Sequence, residues 1–225
     1  NLQKVKEIVP KANSGTVEAA IKAIRLTRKN LINDSQSDSI QASKELNGEN
    51  FNRLILKLPV DSKLLSYLYT LKANKLNNTK SKDARYGIGL CSDFNLFEDE
   101  SQIIRKLEMD LIEISKKALG KKEIIFEDSF FNIFTSGSAG LTPHNHIGPQ
   151  DKSFGLYKNK YSLVYYLEIG DQTGENPGIL KLYNPNEEIL PVNGMIIIFN
   201  SNKIHSVSYK GNKDRIIIGV NFYGF

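Results

Sequence analysis

The chain has 225 residues, 40% of them hydrophobic and 24% charged, which is the ordinary composition of a soluble globular protein. No run approaches the ~20 apolar residues of a membrane helix, and no secretory hydrophobic region is present. The single cysteine, Cys91, excludes an internal disulfide and a thiolate metal cluster, so we expect a cytoplasmic protein.

The net charge of +5 resides entirely in the N-terminal segment. Residues 1–32 carry seven basic and two acidic side chains, whereas the rest of the chain carries 23 of each. A basic helix can contact nucleic acid or an acidic partner, but no aromatic side chain lies among the basic ones, so a solvated helix face is the preferred interpretation. Because the chain starts at Asn1 and not at Met, we expect residues 1–50 to be a helical extension left from an upstream domain.

The clearest predicted helix lies in the middle of the chain. Ile103, Leu107 and Leu111 recur at helical spacing, Ser101 precedes them and Gly120 is a natural stop. In chain order, the elements predicted before residue 121 are a helix over 16–31, a polar loop over 32–49, a strand over 51–57, a helix from Asp61 or Ser62 to 75, a polar linker over 76–84 and the helix over 101–120.

After Gly120 the pattern changes to short apolar runs separated by turn residues, which predicts strands. Helices first and strands later indicate an α+β chain, with helices packed on a double-stranded β-helix, the cupin-like jelly roll. We therefore expect one domain over 51–225, with helical support over 51–120 and a β core over 121–225. The predicted strands are 123–127, 129–135, 161–169, 178–183, 195–200, 205–209 and 215–223.

The chain contains three histidines: His144 and His146 lie between two predicted strands, and His205 begins another. His144 and His146 form a His-x-His pair after Pro143, which favours extended backbone before it. In an extended segment both imidazoles point to the same side and can reach one point. His205 follows the apolar run 195–200 and comes from another strand. Imidazole binds iron, zinc, copper and nickel, so the pattern predicts a metal site made of all three histidines.

Arg215 opens the last predicted strand among apolar neighbours. A strand-end arginine is usually a surface charge, but a guanidinium in an apolar pocket is suited to gripping a carboxylate with two parallel hydrogen bonds. Along the run 162–167, alternation places Val164 and Tyr166 on one face and the leucines with Tyr165 on the other. Taken alone, Tyr165 and Tyr166 read as ordinary strand aromatics, although the Tyr166 hydroxyl could reach the same carboxylate.

Residues 130–225 resemble the iron(II)/2-oxoglutarate-dependent dioxygenases, in particular their prolyl-4-hydroxylase-like members and uncharacterised bacterial and phage proteins with His-x-His. The resemblance implies a hydroxylase that uses Fe(II), 2-oxoglutarate and O2. It implies that His144 and His205 bind iron and that Arg215, helped by Tyr166, binds the distal carboxylate of 2-oxoglutarate in a pocket lined by Leu180. The matching segments are 143–146, 161–167, 177–183, 194–199, 204–207 and Arg215.

The sequence departs from the family pattern at two positions. His146 stands where the family usually has Asp or Glu, which removes one negative charge from the predicted site. The resemblance still implies His146 as the third ligand, with a position outside the metal's coordination sphere as the alternative. Ile217, two residues after Arg215, stands where many relatives have Ser, so one hydrogen bond to the cosubstrate would be missing.

Three other readings stay open. The chain can be a three-histidine cupin-type dioxygenase that does not use 2-oxoglutarate, a non-catalytic binding module on a degenerate oxygenase fold, or a zinc protein, since three histidines and water also suit zinc. For the substrate, a peptide or protein side chain is preferred over a small molecule by analogy alone. We also expect residues 147–160 to form either a mobile lid at the pocket mouth or a plain surface loop.

Overall fold

A computed structural model of the protein describes residues 51–76, 89–135 and 139–225. The predicted helix over 16–31, the polar loop over 32–49 and most of the predicted linker lie outside these residues, and so does the proposed extension over 1–50. Within the described ranges, no helix is long and apolar enough to cross a membrane.

The described residues form eleven strands and three α-helices, together with two short 3-10 turns over 96–98 and 156–159. Their bounds are β1 Leu54–Lys57, α1 Ser62–Leu68, β2 Asn74–Leu76, β3 Gly89–Cys91, α2 Gln102–Leu119, β4 Ile124–Phe134, β5 Ala139–His144, α3 Pro149–Ser153, β6 Lys160–Glu168, β7 Pro177–Leu182, β8 Glu187–Ile189, β9 Met195–Asn200, β10 His205–Tyr209 and β11 Arg215–Gly224.

The strands form two antiparallel sheets. The larger one has the order β1-β9-β6-β11-β4-β3-β2, and the smaller one has the order β5-β10-β7-β8. Strands that follow one another in sequence alternate between the sheets from β4 to β7, as in a double-stranded β-helix. The predicted fold class, an α+β jelly roll with supporting helices, is confirmed.

Each strand of the larger sheet places alternate side chains on its two faces. On β6, Leu163, Tyr165 and Leu167 belong to the core that contains the helices, whereas Val164 and Tyr166 belong to a second cluster on the opposite face. This is the alternation predicted from the sequence. The face that carries Tyr166 is turned toward the smaller sheet, and the candidate site lies between the two sheets.

The predicted helix over 101–120 is confirmed in both bounds and caps. The Ser101 hydroxyl accepts a hydrogen bond from the Ile104 amide at 3.4 Å, and Gly120 ends the helix in the left-handed conformation with φ 62°. Buried side chains of α2, including Leu107 and Leu111, pack in the helix-facing core. Full burial of each such leucine stabilises the fold by about 1.5–3 kcal/mol.

Helix α1 begins where the sequence predicts but ends earlier. Asp61 caps it by accepting from the Lys63 amide at 2.8 Å, yet the helix stops at Leu68 and not at residue 75. The Thr70 amide bonds to the carbonyl three residues back, which closes the last turn, and residues 74–76 pair with β3 as strand β2. Pairing with a distant strand outcompeted helix propensity, which sequence periodicity alone does not show.

The segment 147–160 is not an irregular loop. It contains α3 and a 3-10 turn, and Asp151 of α3 is buried. The Asp151 carboxylate accepts hydrogen bonds from the Tyr223 hydroxyl at 2.6 Å and from the Lys160 ammonium at 3.0 Å, and Lys160 also pairs with Glu127. This buried ion cluster ties the segment to strands β4, β6 and β11, which argues against a freely moving lid.

Candidate metal centre

Strand pairing in the smaller sheet brings the three histidines together. His144 is the last residue of β5 and lies directly opposite His205, the first residue of β10. His146 follows two residues after the strand ends, and its amide donates to the Ser201 carbonyl at 2.9 Å. This bond fixes the backbone beyond β5, so that the His146 imidazole turns toward the other two.

The spacing of the ring nitrogens suits a metal ion. The available nitrogens of the three histidines all lie within 4.8 Å of one another, and Nε2 of His146 is 3.2 Å from Nε2 of His205. Two imidazole nitrogens bound to one metal at ~2.0–2.1 Å, with roughly a right angle between the bonds, would lie about 3 Å apart. The spacing of the three histidines therefore fits the metal ion that the sequence predicts for them.

In His144 and His205, hydrogen bonds made by Nδ1 leave Nε2 free to bind a metal. Nδ1 of His144 lies 2.7 Å from the Thr142 carbonyl, and Nδ1 of His205 lies 3.1 Å from the Lys203 carbonyl. A carbonyl only accepts, so each Nδ1 carries the proton and each Nε2 keeps its lone pair. Metal-binding histidines in proteins are commonly oriented in this way.

The environment also keeps the imidazoles of His146 and His205 neutral. Burial lowers the pKa of His146 to about 3, and its neighbours His205 and His144 lower it further in the same direction. Burial, with a smaller contribution from His144, lowers the pKa of His205 to about 4. Neutral imidazole is the form that binds a metal, so at neutral pH no proton has to leave the pair.

The histidines lie at a pocket between the two sheets, with a volume of roughly 600 Å³ including its open mouth. His146, His205, Arg215, Tyr166 and Leu180 all line it. The His144 ring lies against the His205 ring, with 4.3 Å between their centroids. The structure thus brings every predicted site residue to one place, and their roles as ligands and anchors stay predictions.

Arg215 is the most informative side chain of this pocket. It is 1% exposed, and it donates from Nη2 to the Gly178 carbonyl at 2.8 Å. Its Nε and Nη1 have no hydrogen-bond partner among the described residues. Burial lowers the pKa of Arg215, opposed by Tyr166 and Tyr209, whose rings lie 5.3 and 5.5 Å from Cζ. A buried cation costs several kcal/mol unless an anion pairs with it, so the unpaired donors of Arg215 suit an anionic ligand.

Comparison with known proteins was informative only at the level of structure. No protein-family model matches the chain, and no curated protein matches it in sequence. A prolyl-4-hydroxylase from Pseudomonas putida matches with a TM-score of 0.53 and 16% identity, covering 77% of this chain and 93% of its own. The fold is that of the 2-oxoglutarate- and iron(II)-dependent oxygenases.

Two further solved structures of this fold carry ligands. The viral collagen prolyl hydroxylase of Paramecium bursaria Chlorella virus-1, in complex with 2-oxoglutarate, gives a TM-score of 0.56 at 13% identity, covering 79% of this chain and 98% of its own. HygX of Streptomyces hygroscopicus, with nickel and 2-oxoglutarate bound, gives 0.53 at 11% identity, covering 77% and 83%. At such identities the likeness concerns the oxygenase fold and not the chemistry of this chain.

Sequence reasoning missed Gly178, which shapes the position of Arg215. Gly178 opens the bulged start of β7 with φ 83°, a conformation that side chains disfavour. A Cβ at this position would overlap Nη1 of Arg215 and lie 2.6 Å from Cζ. The Asn-Pro-Gly turn was visible in the sequence, but its contact with an arginine 37 residues later was not.

We expect Gly178→Ala to displace the Arg215 guanidinium and to lower the free energy of unfolding by about 2 kcal/mol, from backbone strain and the clash together. Gly174→Ala is the matched control, because Gly174 has φ 105° but nothing within 4 Å of an added Cβ. Urea unfolding of both variants separates strain from clash. Equal losses of stability in the two would show that the Gly178–Arg215 packing contributes nothing.

Asn132 is the second residue that sequence reasoning missed. It is the single polar residue in the run 130–134, it is 1% exposed, and it lines the pocket. An isolated amide in the otherwise apolar run 130–134 was a signal that the sequence offered.

Proposed function

We propose that this protein is an Fe(II)/2-oxoglutarate-dependent oxygenase that hydroxylates its substrate. In this proposal His144, His146 and His205 hold the iron, and Arg215 anchors the distal carboxylate of 2-oxoglutarate, with Tyr166 and Leu180 lining the same pocket. The observation that carries the proposal is the buried guanidinium of Arg215. Its Nε and Nη1 lack partners in the part of the chain that the structure describes, and it shares a pocket with two of the histidines.

The bound iron and 2-oxoglutarate would supply the oxidising chemistry, in which O2 is consumed, the substrate gains a hydroxyl and 2-oxoglutarate becomes succinate and CO2. The chain's own residues bind and orient. Arg215 offers hydrogen-bond donors to the carboxylate, and Leu180 and Phe199 exclude water from the pocket wall. Burial raises the pKa of Tyr166 to about 12, opposed by Arg215, so its hydroxyl stays protonated and can donate.

The main alternative is a three-histidine dioxygenase that does not need 2-oxoglutarate. The observation in its favour is the ligand set, because the metal-binding group found among the described residues contains no carboxylate. That alternative gives no role to the buried Arg215, which is why we prefer the 2-oxoglutarate-dependent reaction. A non-catalytic binding protein on the same fold would bind metal or ligand without turnover.

The proposal is tested by titrating 2-oxoglutarate into Fe(II)-loaded protein without oxygen and then admitting O2. We expect saturable binding that depends on the metal, followed by release of succinate. Binding without succinate release in the presence of any substrate would favour the non-catalytic protein. Absence of 2-oxoglutarate binding to the iron-loaded protein would refute the proposal and leave the cupin-type reaction.

For the substrate, we propose a peptide or protein side chain. The support is that two of the similar structures are named as prolyl hydroxylases, one of them a collagen prolyl hydroxylase. Proline-containing peptides are therefore expected to accelerate succinate release over the rate without substrate. An equal rate with and without a panel of such peptides would contradict this choice of substrate.

A further inference from the structure

The amide of Asn132 is buried in the pocket without a partner. The residue is 1% exposed, and neither Nδ2 nor Oδ1 makes a hydrogen bond to any residue that the structure describes. Leaving such a group unpaired is strongly unfavourable, and native proteins pair nearly all of them. Because the side chain lines the pocket, a ligand in the pocket is a natural partner for it.

Neighbours on the adjacent strands do not satisfy this amide. Asn132 lies in register between Cys91 of β3 and Ile217 of β11, and paired residues share a face of the sheet. The Cys91 thiol donates to the Ser92 carbonyl at 3.2 Å, and Ile217 has no polar side-chain atom. The row continues to Tyr166 of β6, on the far side of Ile217. Neither adjacent residue therefore forms a hydrogen bond with the Asn132 amide.

Register also places Asn132 close to the anion-binding arginine. Arg215 pairs with Phe134, two residues along β4 from Asn132, so the two residues are diagonal neighbours on the same face. Diagonal neighbours on adjacent strands are about 7–8 Å apart, a distance that long side chains bridge. A single carboxylate placed between them can accept hydrogen bonds from both.

We propose that Asn132 is a second anchor for the carboxylate that Arg215 binds, with the Nδ2 amide as donor. This inference rests on the proposed function. Ile217 stands where many members of the resembled family have a serine, and its side chain cannot donate a hydrogen bond. Asn132 supplies the donor from the neighbouring strand instead. Turning the amide by 180° exchanges Oδ1 and Nδ2 without loss of a hydrogen bond, so the donor can face the ligand.

The test compares two ligands on nickel-loaded protein, in the absence of iron turnover. 2-Oxoglutarate has a distal carboxylate, and 2-oxobutyrate has the same keto-acid end without it. We expect Asn132→Leu to weaken 2-oxoglutarate binding by about ten- to a hundredfold, the usual cost of a hydrogen bond to a charged group, as measured by calorimetry. Binding of 2-oxobutyrate at millimolar concentration is expected to be unchanged.

Stability distinguishes an anchor from a merely structural residue. Asn132→Leu removes an unpaired buried amide and keeps the number and branching of the side chain's heavy atoms, so its melting temperature is expected to equal or exceed that of the wild type. Asn221 also lines the pocket, but its amide bonds to Asp128 and Ser162, so Asn221→Leu is expected to lower the melting temperature. Asn132→Ala repeats the binding measurement if the leucine is poorly accommodated.

The outcomes separate this inference from the function on which it rests. Failure of the wild type to bind 2-oxoglutarate would overturn the proposed function itself. Normal binding by the wild type, lost in an Arg215 variant but kept in both Asn132 variants, would overturn only the role of Asn132. Equal weakening of both ligands would place Asn132 at the metal end of the ligand and would also overturn the inference.

Discussion

Replacement of Arg215 by methionine is expected to weaken 2-oxoglutarate binding by at least about two orders of magnitude, because each charge-assisted hydrogen bond contributes roughly 1.5–3 kcal/mol. Metal binding should persist, since the three histidines have their own supports in β5, β10 and the Ser201 carbonyl. The fold should persist as well, because replacing a buried ion by an apolar side chain of similar volume is often neutral or stabilising.

The measurement is calorimetric titration of 2-oxoglutarate into the metal-loaded variant without oxygen. Arg53→Met is the matched control, because Arg53, the residue before β1, is a more exposed arginine that pairs with Glu187 and does not line the pocket. Arg215→Lys is informative too, since a lysine keeps the charge but loses the planar fork of donors. Unchanged 2-oxoglutarate affinity in Arg215→Met would show that another residue binds the distal carboxylate. The main support for the proposed function would then be lost.

Local sequence patterns predicted the parts of the fold that depend on short-range physics. The alternation along β6 placed Tyr166 on the pocket face, and the cap residues Ser101 and Gly120 marked the ends of α2. Each of these depends on residues within a few positions, or on one periodicity. The same reasoning brought the His-x-His pair to one side of an extended segment, which is what β5 and the residues after it provide.

What the sequence could not show depends on strand register. The pairing of β5 with β10 sets His144 opposite His205, and nothing in either strand alone specifies that register. Gly178 contacts Arg215 only because β7 lies across the pocket from the start of β11. The unpaired state of Asn132 likewise follows from having Cys91 and Ile217 as neighbours, a fact of sheet order and not of the run around it.

In helix α1 and in residues 147–160, contacts with distant residues override what the local sequence predicts. The residues after Leu68 have no strong helix breaker, but residues 74–76 gain more by pairing with β3. Residues 147–160 have the glycine, proline and charge content of a surface loop, but Asp151 pairs with Lys160 inside the protein. Charged residues are mostly exposed, so composition predicts a surface loop here. A charged residue buried in an ion pair is an exception that composition cannot predict.

The second large effect is expected at His146, the residue that replaces the carboxylate of the usual metal triad. Removing the imidazole in His146→Ala should lower metal affinity by more than the ten- to hundredfold (about 1.4–2.7 kcal/mol) that loss of a residue supporting a ligand costs, since here a ligand itself is lost. Metal titration at neutral pH measures it, with one ion per chain expected in the wild type. Unchanged affinity and stoichiometry in His146→Ala would show that two histidines suffice.

His146→Asp tests the consequence of charge. Three neutral imidazole ligands would leave the metal its full double positive charge. One carboxylate of 2-oxoglutarate would then face the metal, while the distal carboxylate pairs with Arg215. An aspartate would add one negative charge within roughly 4 Å of the ion, so metal affinity should rise and 2-oxoglutarate affinity should fall, each by about one to two orders of magnitude. A rise in metal affinity together with a fall in 2-oxoglutarate affinity would show that residue 146 is a ligand that sets the charge of the site.

Asn145→Asp is the control that separates a bound carboxylate from a nearby one. Asn145 is exposed and its side chain accepts from the Ile147 amide, so the same charge appears one residue away without reaching the metal. Screening by solvent should leave both affinities within a few-fold of the wild type. If His146→Asp behaved like Asn145→Asp, position 146 would lie outside the coordination sphere. The metal would then be held by His144 and His205 alone.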